Sequence, residues 1–189
     1  PHALGTCSAY LVENNILNDL VSLCLPDEPL GILDEFLRMC TTLVRHIHVP
    51  WFLANEGVAH ALLQLLRSCN KKQQKPPGLV ELVYALCARI HQQPDTLRVL
   101  VQLGAQLPKE RPADRFPLMT CIVRHITMDG PSGRHMRTSL VWVMHALLTL
   151  GTNHRAAWPA LYFDQATCSD LAKSLNEALT HAFNHLPLH

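Results

Sequence analysis

Apolar residues recur along this chain at the spacing of one helix face. Leu33, Phe36, Leu37, Cys40, Leu43, Val44 and Ile47 fall three or four positions apart, and the rhythm continues to Phe183 and Leu186. Residues at i, i+3, i+4 and i+7 share one side of a helix. A run of such stripes leaves water only by packing stripe on stripe. No alternating stretch is long enough for a sheet, so the pattern predicts an all-α protein.

The interruptions place the helices. A first helical stretch covers residues 3–25, broken near Asn14 and Asn15, whose side chains compete for backbone groups. Prolines at 26 and 29 separate it from a second helix over 30–48, and Pro50 ends that helix or opens the next. Helices over 58–69 and 79–91 follow, the latter burying Leu79, Leu82, Val83, Leu86 and Ile90. Between them, residues 70–78 form a polar, locally basic loop. Asp95 is placed to cap a helix over 96–103 that Gly104 closes. Residues 107–115 read as an exposed connection. A helix over 116–128 is then broken at 129–133, and another over 134–150 is closed by Gly151. In the last helix Thr167 and Asp170 match the capping-box pattern, ahead of a stripe through Cys168, Leu171, Leu175, Leu179, Phe183 and Leu186.

Helix pairs return at intervals of roughly 40 residues, near the period of HEAT and armadillo units. No clean repeated motif accompanies them. The expected fold is an irregular α-solenoid of armadillo/HEAT-like stacked helical hairpins, one domain over residues 1–189. A closed helical bundle satisfies the same periodicity. The chain begins at Pro1 and stops just after an amphipathic helix, and it is read as a piece of a longer protein.

Composition narrows the function classes. With 48% hydrophobic and 16% charged residues the chain suits a packed core and not a disordered segment. The net charge of +1 carries no basic excess, which argues against nucleic acid as partner. The seven cysteines are an odd number, and Cys40, Cys87 and Cys121 occupy apolar helical positions, as small buried hydrophobes do. This points to a reducing compartment, cytosol or nucleus. The longest apolar run, 140–150, is far below the roughly 20 residues that span a bilayer and contains His145. No signal peptide is visible.

Twelve histidines invite a metal reading. His46 and His48 are two apart on a helix and point to different sides, so a helix-end role is expected. His181 and His185 have the i, i+4 spacing that can seat one ion, but no Glu follows His181 as the metalloprotease pattern needs. An exposed face opposite Phe183 is expected instead. Cys121 and His125 are also i, i+4, the spacing of a nucleophile with its base. Cys121 lies in an apolar stripe, which makes a thiol inert, and no oxyanion site accompanies it. Residues 129–133 lack the lysine and spacing of a phosphate loop. The chain is therefore read as non-enzymatic, with no catalytic, cofactor or metal residue assigned. Lys71, Lys72 and Lys75 are candidate contacts for a partner or an acidic lipid surface. Trp51 and Trp142 are expected as core anchors, and Trp158, beside Pro159 in a loop, as an interface residue.

Several segments, taken in order, resemble the FHIP family, the FTS-and-Hook-interacting, retinoic-acid-induced-like proteins. They are the helix from Tyr10 through the turn at Pro26, the helix and proline turn over 31–50, and the Leu62 to Cys69 helix end. The Glu81 to His91 helix with its Pro94–Asp95 step follows. Then comes the Phe116 to Arg137 block, with Gly130, Gly133 and Arg137 where the family has its glycines and basic residue, and finally the stretch from Tyr162 to Pro187. The chain departs from the family at Ala182 to His185 and in the loop from Lys71 to Lys75. It is similar to a divergent member, read as fungal, and to that member's N-terminal part. The resemblance implies an α-solenoid scaffold of a complex with a Hook-type coiled-coil adaptor and an FTS-type inactive relative of ubiquitin-conjugating enzymes. It also implies recognition of an endosomal Rab-type GTPase, linking early endosomes to the dynein motor from the cytoplasm. The alternative is a generic armadillo-like interaction domain of another cytosolic or nuclear complex.

Overall fold

The computed structural model describes residues 2–24, 30–47, 51–72, 76–106, 116–153 and 165–184. Among these residues there are ten helices and no strand. They are α1 (His2–Glu13), α2 (Ile16–Cys24), α3 (Leu30–His46), α4 (Trp51–Ala54), α5 (Glu56–Lys71), α6 (Gly78–Gln92), α7 (Asp95–Gln106), α8 (Pro117–His125), α9 (Gly130–Asn153) and α10 (Gln165–Asn184).

The helices stack in two layers. One is α3, α6 and α9 side by side; the other is α2, α5, α8 and α10, with α7 set beside α5. This is the solenoid-like, all-α arrangement that the stripes predict. The layer helices α3, α6 and α9 start at Leu30, Gly78 and Gly130, roughly 50 residues apart and not 40. The extra helices α4 and α7 lengthen the unit.

Burial follows the stripes. All five residues expected inside α6 are buried, and so are Ala85 and Cys87, because α6 is flanked by α3 on one side and α9 on the other. On α3, Leu33, Phe36, Leu37, Cys40 and Val44 are buried and Leu43 is half-buried, and Ile47, just past its end, is buried too. Each fully buried Leu or Phe contributes on the order of 1.5–3 kcal/mol relative to an exposed one. Phe183 is the exception in α10: it is 68% exposed, while Leu171 and Ala178 carry the buried face.

Four side-chain-to-backbone bonds fix the helix ends. Asn55 caps α5, its Oδ1 accepting the Val58 amide at 3.1 Å. Asp34 of α3 caps α6 from outside, its Oδ1 accepting the Gly78 amide at 2.5 Å. Arg89 near the end of α6 donates through Nη2 to the carbonyl of Ile47, just past α3, at 3.2 Å. Start meets start and end meets end, so α3 and α6 run parallel. Arg137 of α9 donates to the carbonyl of Ile126, just past α8, at 3.0 Å.

Several boundaries differ from the local reading. The break expected at 129–133 lies at 126–129, and Gly130–Pro131 opens α9, since proline is tolerated in a first helical turn. Gly133 is inside α9 because the chain doubles back on it: a Cβ there would sit 1.7 Å from the Met128 carbonyl oxygen. Gly104 is buried within α7, which continues to Gln106. Thr167 lies inside α10 and not at its cap. The break at Asn14–Asn15 is where it was expected, with Asn15 at φ 51°, a left-handed conformation that Asn tolerates.

Candidate functional site

The residues singled out by sequence do not converge. Lys71 is exposed at the end of α5 and Lys72 is half-buried just beyond it. Lys75 and Trp158 lie outside the described residues, as do His48 and His185. His46 is exposed at the end of α3, and His181 is exposed on α10. Among the described residues no three His, Cys, Asp or Glu side chains gather to hold a metal.

The Cys121–His125 pair is a packing node. Cys121 is buried, and its thiol donates to Asn70 Oδ1 at 3.0 Å. The His125 ring, also buried, meets the Cys121 backbone carbonyl through Nδ1 at 2.8 Å and not the thiol. Asn70 Nδ2 donates to the Pro117 carbonyl at 2.9 Å, and Arg124 donates to the Asn70 carbonyl. The three bonds made by Asn70 tie the end of α5 to α8. A buried thiol held by an amide, with its histidine engaged by backbone, is a structural cysteine.

The richest surface chemistry runs across the α3–α6–α9 layer. Arg45 Nη2 donates to Glu81 Oε2 at 2.7 Å, and Glu81 Oε1 lies 3.3 Å from His135 Nδ1. The His135 ring stacks on Tyr84 with centroids 4.2 Å apart. Tyr84 meets Trp142 at 5.0 Å, Trp142 meets His91 at 5.8 Å, and His91 meets His145 edge-on at 4.7 Å. One unbroken strip of seven side chains thus crosses three helices. Trp142 is half-buried and packs on the core with its inner part, so the expectation of a core anchor holds for that part only. At the α3 end of the strip, Arg38, Thr42, Arg45, Gly78 and Glu81 line a groove of about 430 Å³.

Apart from Trp142, these residues escaped the sequence reading because their partners are distant in the chain. A signal was nevertheless present. Glu81, Tyr84 and His91 sit at i, i+3 and i+10, and His135, Thr138, Trp142 and His145 at i, i+3, i+7 and i+10. Two polar-aromatic stripes of equal pitch are what neighbouring parallel helices need in order to meet face to face.

Two buried groups below the strip are electrostatically displaced. Burial pushes the Cys87 thiol up from 9.0 to about 12, against a smaller opposing pull from the Ser139 hydroxyl. Burial also lowers the Arg89 guanidinium from its ordinary value. Arg89 keeps its hydrogen bonds to Ile47 and, at 3.2 Å, to Gln92 Oε1. No helix among the described residues is long and apolar enough to cross a membrane.

A solenoid-like helical stack with a decorated outer layer defines a helical, scaffold-like protein. Its family follows from comparison: the model of the retinoic acid induced 16-like protein family matches residues 7–189, and the chain belongs to that family. This is the FHIP-related family that the segments in order resemble. No curated protein and no solved structure matches the chain.

Proposed function

We propose that the chain is a non-enzymatic scaffold subunit of a Hook–FTS–FHIP-like complex that links early endosomes to the dynein motor. The observation that carries this reading is the family match over residues 7–189. The helical stack supports it, because parallel outer helices offer extended faces to other proteins. Its exposed apolar residues support it too. Val141 and Leu148 on α9, and Ile32 and Met39 on α3, lie seven positions apart on outer faces. Hook-type and FTS-type proteins and an endosomal Rab-type GTPase are the proposed partners, with recruitment from the cytoplasm. Lys71, Lys72, Lys75 and Trp158 are proposed to contribute to those contacts. The test is affinity purification of the full-length protein from its own cells, followed by identification of what is bound. Hook- and FTS-type proteins are expected; recovery of neither overturns the reading.

A further inference from the structure

We propose that His91 and His145 form a two-point clip for a borderline divalent transition-metal ion, bridging α6 and α9. The two residues are 54 positions apart in sequence, yet their ring centres lie 4.7 Å from each other with the planes at 66°. A zinc–imidazole bond of about 2.0–2.1 Å and a tetrahedral angle place two ring centres on one ion roughly 5 Å apart. The observed separation is within a few tenths of an ångström of that arrangement. Rotation of the rings about their side-chain bonds turns one nitrogen of each toward a shared point in the metal-bound form.

The site is accessible and partly preorganised. Both rings are exposed, so an ion reaches them without opening the core. The His91 ring is held against Trp142, nearly parallel to it at 18°. Trp142 in turn packs on the core and against Tyr84. Ordering one ligand beforehand lowers the entropy lost on binding. Because no third His, Cys, Asp or Glu joins the pair among the described residues, the ion keeps water at its remaining positions. The site is therefore open, and a ligand from outside can complete it. Imidazole selects zinc, copper and nickel over magnesium and calcium, which prefer oxygen.

Titration of the purified chain with zinc chloride, by calorimetry, tests the clip. Both side chains are on the surface, so alanine variants keep the fold. His91→Ala and His145→Ala are each expected to weaken zinc binding by about tenfold or more, with the double variant losing less than the two single losses combined. His181→Ala, on α10, is expected to leave it unchanged, and magnesium is expected not to compete. With one equivalent of Cu²⁺, the electron paramagnetic resonance spectrum should show two imidazole nitrogens in the wild type and at most one in either single variant. Wild-type affinity in the single variants overturns the proposal. So does unchanged affinity at reduced stoichiometry in the single variants, the mark of two separate one-histidine sites.

Discussion

The Asp34 carboxylate caps a helix that starts 44 residues further along the chain: its Oδ1 accepts the Gly78 amide at 2.5 Å. The same carboxylate holds Arg38 through Oδ2 at 3.1 Å. Asp34→Ala should cost about 0.5–2 kcal/mol, the usual range for loss of an N-cap, while Asp34→Asn should retain part of it. Urea midpoints at unchanged slope check this. A midpoint identical to wild type for Asp34→Ala would show the cap to be energetically idle.

Gly133 and Gly31 should respond in opposite directions. A Cβ at Gly133 meets the Met128 carbonyl oxygen at 1.7 Å, and backbone cannot yield as a flexible side chain does. Gly133→Ala is expected to destabilise by roughly 3 kcal/mol or more, or to prevent folding. A Cβ at Gly31 meets nothing within 4 Å, on an exposed turn of α3. Gly31→Ala is expected to stabilise, by up to about 1 kcal/mol, through the unfolded state. Thermal melts of the two variants give the comparison directly.

Alkaline stability should depend on Cys87. Its thiol sits at about 12 in the folded chain against 9.0 when unperturbed. The unfolded chain loses this proton first, so the folded state binds more protons over that interval and stability falls as pH rises. The contribution is complete below about pH 9 and is lost between there and pH 12. Denaturant midpoints from pH 8.5 upward should therefore decline more steeply in the wild type than in Cys87→Ala. Parallel declines would rule out the cysteine as a source.

Buried thiols should be silent in the native protein. Cys40, Cys69, Cys87 and Cys121 are all buried. A thiol reagent followed by peptide mapping is expected to leave these four unlabelled until denaturant is added. Asn70→Ala removes the acceptor of the Cys121 thiol and the donor to the Pro117 carbonyl. It should cost about 1–3 kcal/mol and bring Cys121 labelling to lower denaturant.

Tyr84 and Trp142, whose rings lie 5.0 Å apart, should be coupled. A double-mutant cycle to alanine is expected to give about 0.5–1.5 kcal/mol of interaction. A coupling near zero would mean that the strip is a row of neighbours and not a connected unit.

Local sequence reading worked where local physics decides. The α6 stripe from Leu79 to Ile90 and the break at Asn14–Asn15 are set by helix period and by the turn preference of Asn. It failed where a residue type has two local meanings. Gly130–Pro131 reads as a break or as a first turn, and Gly104 as a stop or as a close-packed interior position. Tertiary packing chose between them. The strip was hidden for a different reason. Tyr84 and His135 meet only because α6 and α9 lie side by side, which neither helix records by itself.

The parallel run of α3 and α6 has an electrical consequence. Aligned peptide dipoles in neighbouring helices repel, since like partial charges gather at the same edge of the layer. Asp34 puts a negative charge at the positive edge, and Arg89 a positive one at the negative edge. These two side chains bond the helices and also neutralise the polarity that their common direction creates.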